Sequence, residues 1–238
     1  MIIGVNGKIG SGKDTVGSII QYLDLCKKAD KTDLSYKEFV NSERWVTDWE
    51  IKKFAGKLKQ TASLLTGIRV EMFEDQEFKM TNLPDEWARL EQSGRSKVWN
   101  HMTVRTFLQR LGTEAMRDGL HTNVWVNALF ADYKCPECNS VPGQVCFGHR
   151  NPNWIITDMR FPNEMEAVVA KGGITIRVVR SFNHKMGSKE TGTLDLTPLH
   201  PSETALDGHT MHYEIINDGT IDDLIEKVRE ILTKQGIL

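Results

Sequence analysis

Cysteine is scarce in this 238-residue chain, with four in all (Cys26, Cys135, Cys138 and Cys146), and three of them crowd into one short segment. That is too few and too clustered for a disulfide framework, which would also need an oxidising compartment. Long apolar runs are missing too, so nothing reads as a bilayer-spanning helix. The amino terminus enters a strand pattern without the basic region, apolar core and cleavage site of a secretion signal. Nor is there a surplus of one charge: 30 Lys and Arg against 32 Asp and Glu leave −2, which gives no global reason to wrap nucleic acid or coat an anionic membrane. Repeats and low-complexity tracts are absent. The expectation is a soluble cytoplasmic protein, residues 1–238 forming one α/β domain with elaborations.

What is present is an alternation of strand and helix patterns. "MIIGVN" is a short apolar strand, and the helix after the following loop has Val16, Ile19, Ile20 and Leu23 on one face. Residues 27–48 are charged and weakly periodic, a surface excursion. "WEIKKFA" reads as a second strand, followed by a helix with Leu58, Ala62 and Leu65 that stops at Gly67, and 68–102 as short helices and a mobile cover. Thr103 opens a helix whose core-facing stripe is Val104, Phe107, Leu108, Leu111 and Ala115. "NWIITD" suits a central strand covered on both faces; its helix starts near Pro162 and ends at Gly172. "GITIRVV" and "YEIIND" are the last strands, and Thr220 with Asp223 resembles a capping box for a final helix. Five strands separated mainly by helices predict a parallel sheet with helices on both faces, whose ligands sit at the carboxyl ends of the strands.

The first strand runs into "GVNGKIGSGKDTV". Gly7, Gly12 and Lys13 satisfy G-x-x-x-x-G-K, with Gly10 and Ser11 inside. Small residues let consecutive backbone N–H groups face phosphate oxygens, the helix dipole stands behind them, and the lysine reaches the outer phosphates. The Ser or Thr that ordinarily holds Mg²⁺ is replaced by Asp14, with Thr15 one position later. Asp14 either approaches the metal through water or stabilises the first helical turn. Asp158, at the end of a buried strand, stands where a P-loop enzyme keeps the acid that orients Mg²⁺; capping the next helix is the other reading. Arg105, Arg117, Arg160 and Arg180 are candidates for neutralising phosphate, and each alone also reads as a surface residue.

"CPECNSVPGQVCFGH" offers Cys135, Cys138, Cys146 and His149 as C-x-x-C, seven residues, C-x-x-H. Three thiolates and an imidazole suit one tetrahedral Zn²⁺, and four protein ligands leave no open position, so the 135–149 insertion reads as structural. Surface cysteines or a redox pair are the alternatives.

The segments "GSGKDT", "FAGKLK", "VRTFLQRLGTEAMRD", "VWVNALFADY", "ITDMRFPNEMEA", "VVR", "HPSETAL" and "INDGTIDDL", in this order, resemble the phage-type deoxynucleoside monophosphate kinase family over most of the chain. The "VRxxLQxLGTE" stretch is the most discriminating. The resemblance implies a P-loop kinase core with a helical acceptor-binding region (56–120) and a lid (181–212), ATP and Mg²⁺ as donor, and a deoxynucleoside monophosphate as acceptor. It places Lys13 on the donor phosphates, Thr15 and Asp158 on Mg²⁺, and Arg160 and Arg180 at the transferred phosphoryl group. Lys59, Arg105, Gln109 and Arg117 fall on the acceptor side. It also suggests a homodimer working in a host cytoplasm. Two other readings stay open: another small-molecule P-loop kinase of dephospho-coenzyme A or phosphomevalonate type, and a nucleotide- or nucleic-acid-binding module without turnover.

Overall fold

The computed structural model describes residues 1–29, 34–42, 44–93, 96–134, 151–180 and 204–238, and the chain divides into two compact units, 54–132 and the remainder. The cysteine segment from Cys135 to His149 and the first part of the expected lid, up to residue 203, lie outside the described residues.

The first unit is built on five parallel strands in the order β2-β5-β1-β6-β7: β1 (Ile2–Asn6), β2 (Trp49–Lys52), β5 (Asn153–Ile156), β6 (Ile174–Val179) and β7 (Tyr213–Ile216). They are the five strands expected from the sequence. Alternation within β1 assigns its faces. Ile3 and Val5 pack with Val16, Ile19, Ile20 and Leu23 of α1 (Lys13–Ala29) and with Leu224, Ile225, Val228 and Leu232 of the last helix, α7 (Ile221–Lys234). Gly4 faces the other way, where a Cβ would meet Met159 Sδ at 2.9 Å and Val168 of α6 (Pro162–Ala170) at 3.3 Å. Covered on both sides, β5 is a continuous buried run, Trp154, Ile155 and Ile156, as "NWIITD" predicted. Thr220 accepts from Asp223 N–H while the Asp223 carboxylate accepts from Thr220 N–H, so the capping box forms. The stretch read as a surface excursion is partly structured: α1 runs on to Ala29, and α2 (Tyr36–Val40) buries Phe39 beside Tyr22.

The second unit begins with α3 (Phe54–Thr66) and continues through 3₁₀ turns at Val70–Phe73, Phe78–Met80 and Asp85–Trp87. An antiparallel hairpin follows, β3 (Arg89–Ser93) with β4 (Ser96–Asn100), where the sequence had suggested only short helices and a cover. Next comes α4 (Val104–Gln109), with Thr103 as N-cap; its chain continues as a π-helical segment, Arg110–Asp118, before α5 (Val124–Phe130). Ala62, Phe73, Leu83, Val104, Phe107 and Leu111 form the core. Ala115 is not part of it and is exposed. The expected stripe assumed uninterrupted α-helix, but the π segment bonds five residues back, as in Gly119 N–H to Glu114 C=O at 3.1 Å, and the wider turn rotates later residues off the buried face.

No helix among the described residues is long and apolar enough to cross a membrane.

Candidate active site

Because β1 is the central strand and α1 leaves its carboxyl end, the glycine-rich loop lies where ligands bind a parallel sheet. Gly10 and Gly12 have φ of 76° and 98°, a left-handed conformation that a side chain would strain. Gly7 is forced by proximity: a Cβ there would stand 2.3 Å from Ser11 Oγ and 2.7 Å from Val178 O. Ser11 Oγ is buried and has no hydrogen-bond partner among the described residues. A buried hydroxyl without a partner inside such a loop fits a site that takes a polar ligand. Lys13 sits at the first position of α1, its ammonium curled back to within 3.5 Å of Lys8 O. Arg180, just past β6, reaches the same loop and donates to Gly10 O at 3.3 Å.

Asp14 lies in the first turn of α1, where a carboxylate favours the helix dipole, and its side chain is engaged. Its Oδ1 accepts from Thr157 Oγ1 at 2.8 Å and pairs with Lys53 Nζ at 3.1 Å. Burial raises the Asp14 carboxyl, but the Thr157 hydroxyl and the Lys53 ammonium, with Lys13 nearby, outweigh it and hold the group below the usual carboxylate value. The first turn of α1 is thereby tied to the ends of β5 and β2. Thr157 directly precedes Asp158, so this link brings Thr15, half-buried in that turn, and Asp158 to the same end of the sheet. Hard oxygen ligands from a hydroxyl and a carboxylate fit Mg²⁺ bound mostly through water and substrate phosphate.

Asp158 and Arg160 ride on a short loop between β5 and α6. Its shape is fixed by Glu164, almost fully buried, whose Oε2 accepts from the backbone N–H of Arg160 at 2.7 Å and of Phe161 at 3.1 Å. Thr157, Lys53 and Glu164 were not among the residues expected from the sequence. The signal for Glu164 was present, since "FPNE" puts Pro at the first helical position and Glu at the third, where a side chain bonds back to the preceding backbone.

In the second unit, Lys59 on α3 is buried and paired with Glu74. Arg105 on α4 is exposed and donates to Gln76 Oε1 at 3.3 Å. Lys79 joins them, reaching Glu74 O at 3.4 Å; burial, then the charge of Lys59, opposed by Glu74, then that of Arg105, leave its ammonium with a lowered pKa. Two of the four expected acceptor-side residues thus gather with an unforeseen lysine around the 74–76 turn. Gln109 is exposed at the end of α4, and Arg117 is half-buried in the π segment.

That segment carries "LQRLGTE", and Gly112 explains part of the spelling. A Cβ there would stand 2.9 Å from Leu58 Cδ2, while its carbonyl accepts from Trp125 Nε1 at 2.9 Å inside the unit. The glycine lets α3 approach the π turn closely.

Among the described residues no group of three or more His, Cys, Asp or Glu could hold a metal, and the four expected zinc ligands lie outside them. Cys26, the one described cysteine, is free and half-buried.

The chain is 26% identical over 137 residues to the deoxynucleotide monophosphate kinase of Enterobacteria phage T4, covering 58% of this chain and 48% of that protein. It is 28% identical over 130 residues to the enzyme of the same name from Escherichia phage RB69, covering 55% and 45%. It is also 32% identical over 130 residues to the ORF77 protein of Ictalurid herpesvirus 1 (strain Auburn), covering 54% and 47%. The chain therefore spans about half the length of the curated relatives it matches. A family model described as deoxynucleotide monophosphate kinase matches residues 47–228, most of the sequence. The chain belongs to the deoxynucleotide monophosphate kinase family.

Proposed function

We propose that this protein transfers the γ-phosphoryl group of ATP to a deoxynucleoside monophosphate, with Mg²⁺. The observation that carries the reading is the link from Asp14 to Thr157, which joins the turn bearing Lys13 and Thr15 to the strand end bearing Asp158. Gly7, Gly10, Ser11 and Gly12 present backbone N–H groups to the donor phosphates, and Lys13 neutralises the outer ones. Thr15 and Asp158 hold Mg²⁺, which supplies charge neutralisation on the phosphates when bound. Arg160 and Arg180 stabilise charge on the transferred group. Lys59 and Arg105, joined by Lys79, take the acceptor's phosphate, with Gln109 and Arg117 on the same side. That phosphate is already a competent nucleophile, so in-line attack requires no general base. Cys135, Cys138, Cys146 and His149 bind one structural zinc ion, a reading that rests on their spacing.

The test is ADP release measured across the common deoxynucleoside and ribonucleoside monophosphates with ATP and Mg²⁺. Turnover confined to deoxynucleotides is the expected result, and Lys13→Ala lowers kcat/KM by on the order of 10²–10³-fold or more. A well-folded preparation that turns over none of them overturns the kinase reading.

A further inference from the structure

Two carbonyls of the glycine-rich loop are held from outside it. One is Gly10 O, held by Arg180; the other is Ser11 O, to which Asn217 Nδ2 donates at 2.8 Å. Asn217 follows β7 and has no place among the phosphate-binding groups assigned above. Its contact with the loop is intimate, because a Cβ on Gly12 would stand 2.5 Å from its Nδ2. It is also fixed in place. Its own N–H donates to Val179 O at 2.7 Å, extending the β6–β7 ladder, and beyond it Asp218 pairs with Lys227 of α7 at 3.0 Å.

Across a planar trans peptide the C=O and the following N–H point in opposite directions. Holding Ser11 C=O therefore holds Gly12 N–H on the far side of the same peptide plane, away from Asn217. Gly12, with no side chain and a φ of 98°, has little else to resist rotation of that plane.

We infer that Asn217 is a positioning residue that aims the Gly12 N–H at a phosphate of the bound donor. It touches no substrate itself. The inference rests on the reading that this loop takes the phosphates of ATP. Asn217→Asp keeps the shape but replaces the donor with an acceptor facing the Ser11 carbonyl, so the peptide is pushed out of its orientation. Asn217→Ala removes the hydrogen bond without the repulsion.

The experiment compares wild type, Asn217→Asp and Asn217→Ala in steady-state kinetics and in calorimetric titration with a non-hydrolysable ATP analogue. The expected result is a KM for ATP and a Kd for the analogue raised about 10- to 100-fold in Asn217→Asp, less in Asn217→Ala, with the acceptor KM within about twofold of wild type. Should Asn217→Asp fail to fold, Asn217→Ala carries the comparison. An analogue Kd unchanged within about twofold in the folded variants, while wild type binds it, overturns the role of Asn217 alone. So does a loss in which both KM values and the melting temperature shift together, since that marks a general structural role. A wild type that does not bind the analogue overturns the donor-site reading beneath it.

Discussion

Replacing Glu164 tests whether the loop bearing Asp158 and Arg160 owes its shape to one buried carboxylate. The side chain is 3% exposed, and its Oε2 accepts from two consecutive backbone N–H groups, at 2.7 and 3.1 Å. A hydrogen bond to a charged group contributes about 1.5–3 kcal/mol, and a buried donor left unpaired costs about 1–3 kcal/mol. Arg160 and Phe161 are only half-buried, so water rescues part of the loss, and Glu164→Ala should cost about 2–4 kcal/mol. In a chain of this size each kcal/mol lowers Tm by about 2–4 °C, so the expected drop is roughly 5–15 °C. Glu164→Gln keeps an oxygen acceptor and loses only the charge, so its drop should be about half as large. Thermal melts by circular dichroism at pH 7 read both values. Turnover measured well below Tm then asks whether Glu164→Gln lowers kcat more than either KM, as misplacing Asp158 and Arg160 would. A Glu164→Ala protein melting within about 2 °C of wild type would refute the reasoning.

Two further groups of outcomes follow from the charges, and one from the cysteine spacing. Lys79 has a lowered native pKa, so between that value and the unfolded value of about 10.4 the unfolded chain binds more protons and stability rises with pH. Lys79→Met removes the like-charge burden on Lys59 and Arg105; its Tm at neutral pH should rise while the KM for the acceptor monophosphate increases about tenfold, and a lowered Tm would contradict the electrostatic account. The depressed pKa of Asp14 gives a contribution present above the unfolded value of about 3.9 and lost as pH falls through the native one. With the side chain 62% exposed, the Asp14→Asn difference should be under about 1 kcal/mol at pH 7 and vanish in strong acid, read from melts at both pH values. Elemental analysis should find one zinc per chain and none after Cys135→Ser; a metal-free wild type of undiminished stability removes the zinc assignment.

The parallel sheet was legible because its strands are buried on both faces and therefore read as unbroken apolar runs, Trp154 to Ile156 above all. The hairpin was not. Leu90 pairs with Trp99 across it, yet both are about half exposed, and a two-stranded ribbon with an open face leaves little alternation for periodicity to detect. Ala115 failed for a different reason. A residue's phase along a helix can be counted only while the hydrogen-bond spacing is constant, and nothing in "RLGTEAMRD" announces the change to a five-residue spacing.

Within the site, legibility followed locality. Gly7, Gly12 and Lys13 could be found because one loop supplies them all. Lys53, Thr157 and Asn217 act through partners distant in sequence, such as Thr157 with Asp14 across 143 positions, so no spacing rule points to them. Asp14 shows what this costs. Taken alone it is a loop whose metal-binding hydroxyl has been replaced, and both readings open to it, metal water and helix end, look only at its neighbours in sequence. Its side chain also binds a hydroxyl just past β5 and an ammonium beyond β2, which turn the replacement into a tie between the first turn of α1 and the residue before Asp158. A carboxylate can make that tie because it accepts from both donors at once. Serine or threonine at position 14 would offer one short hydroxyl and no charge for Lys53. The departure from the usual loop leaves a hydroxyl one step along, at Thr15, and uses position 14 to tie the first turn of α1 to the strand end before Asp158.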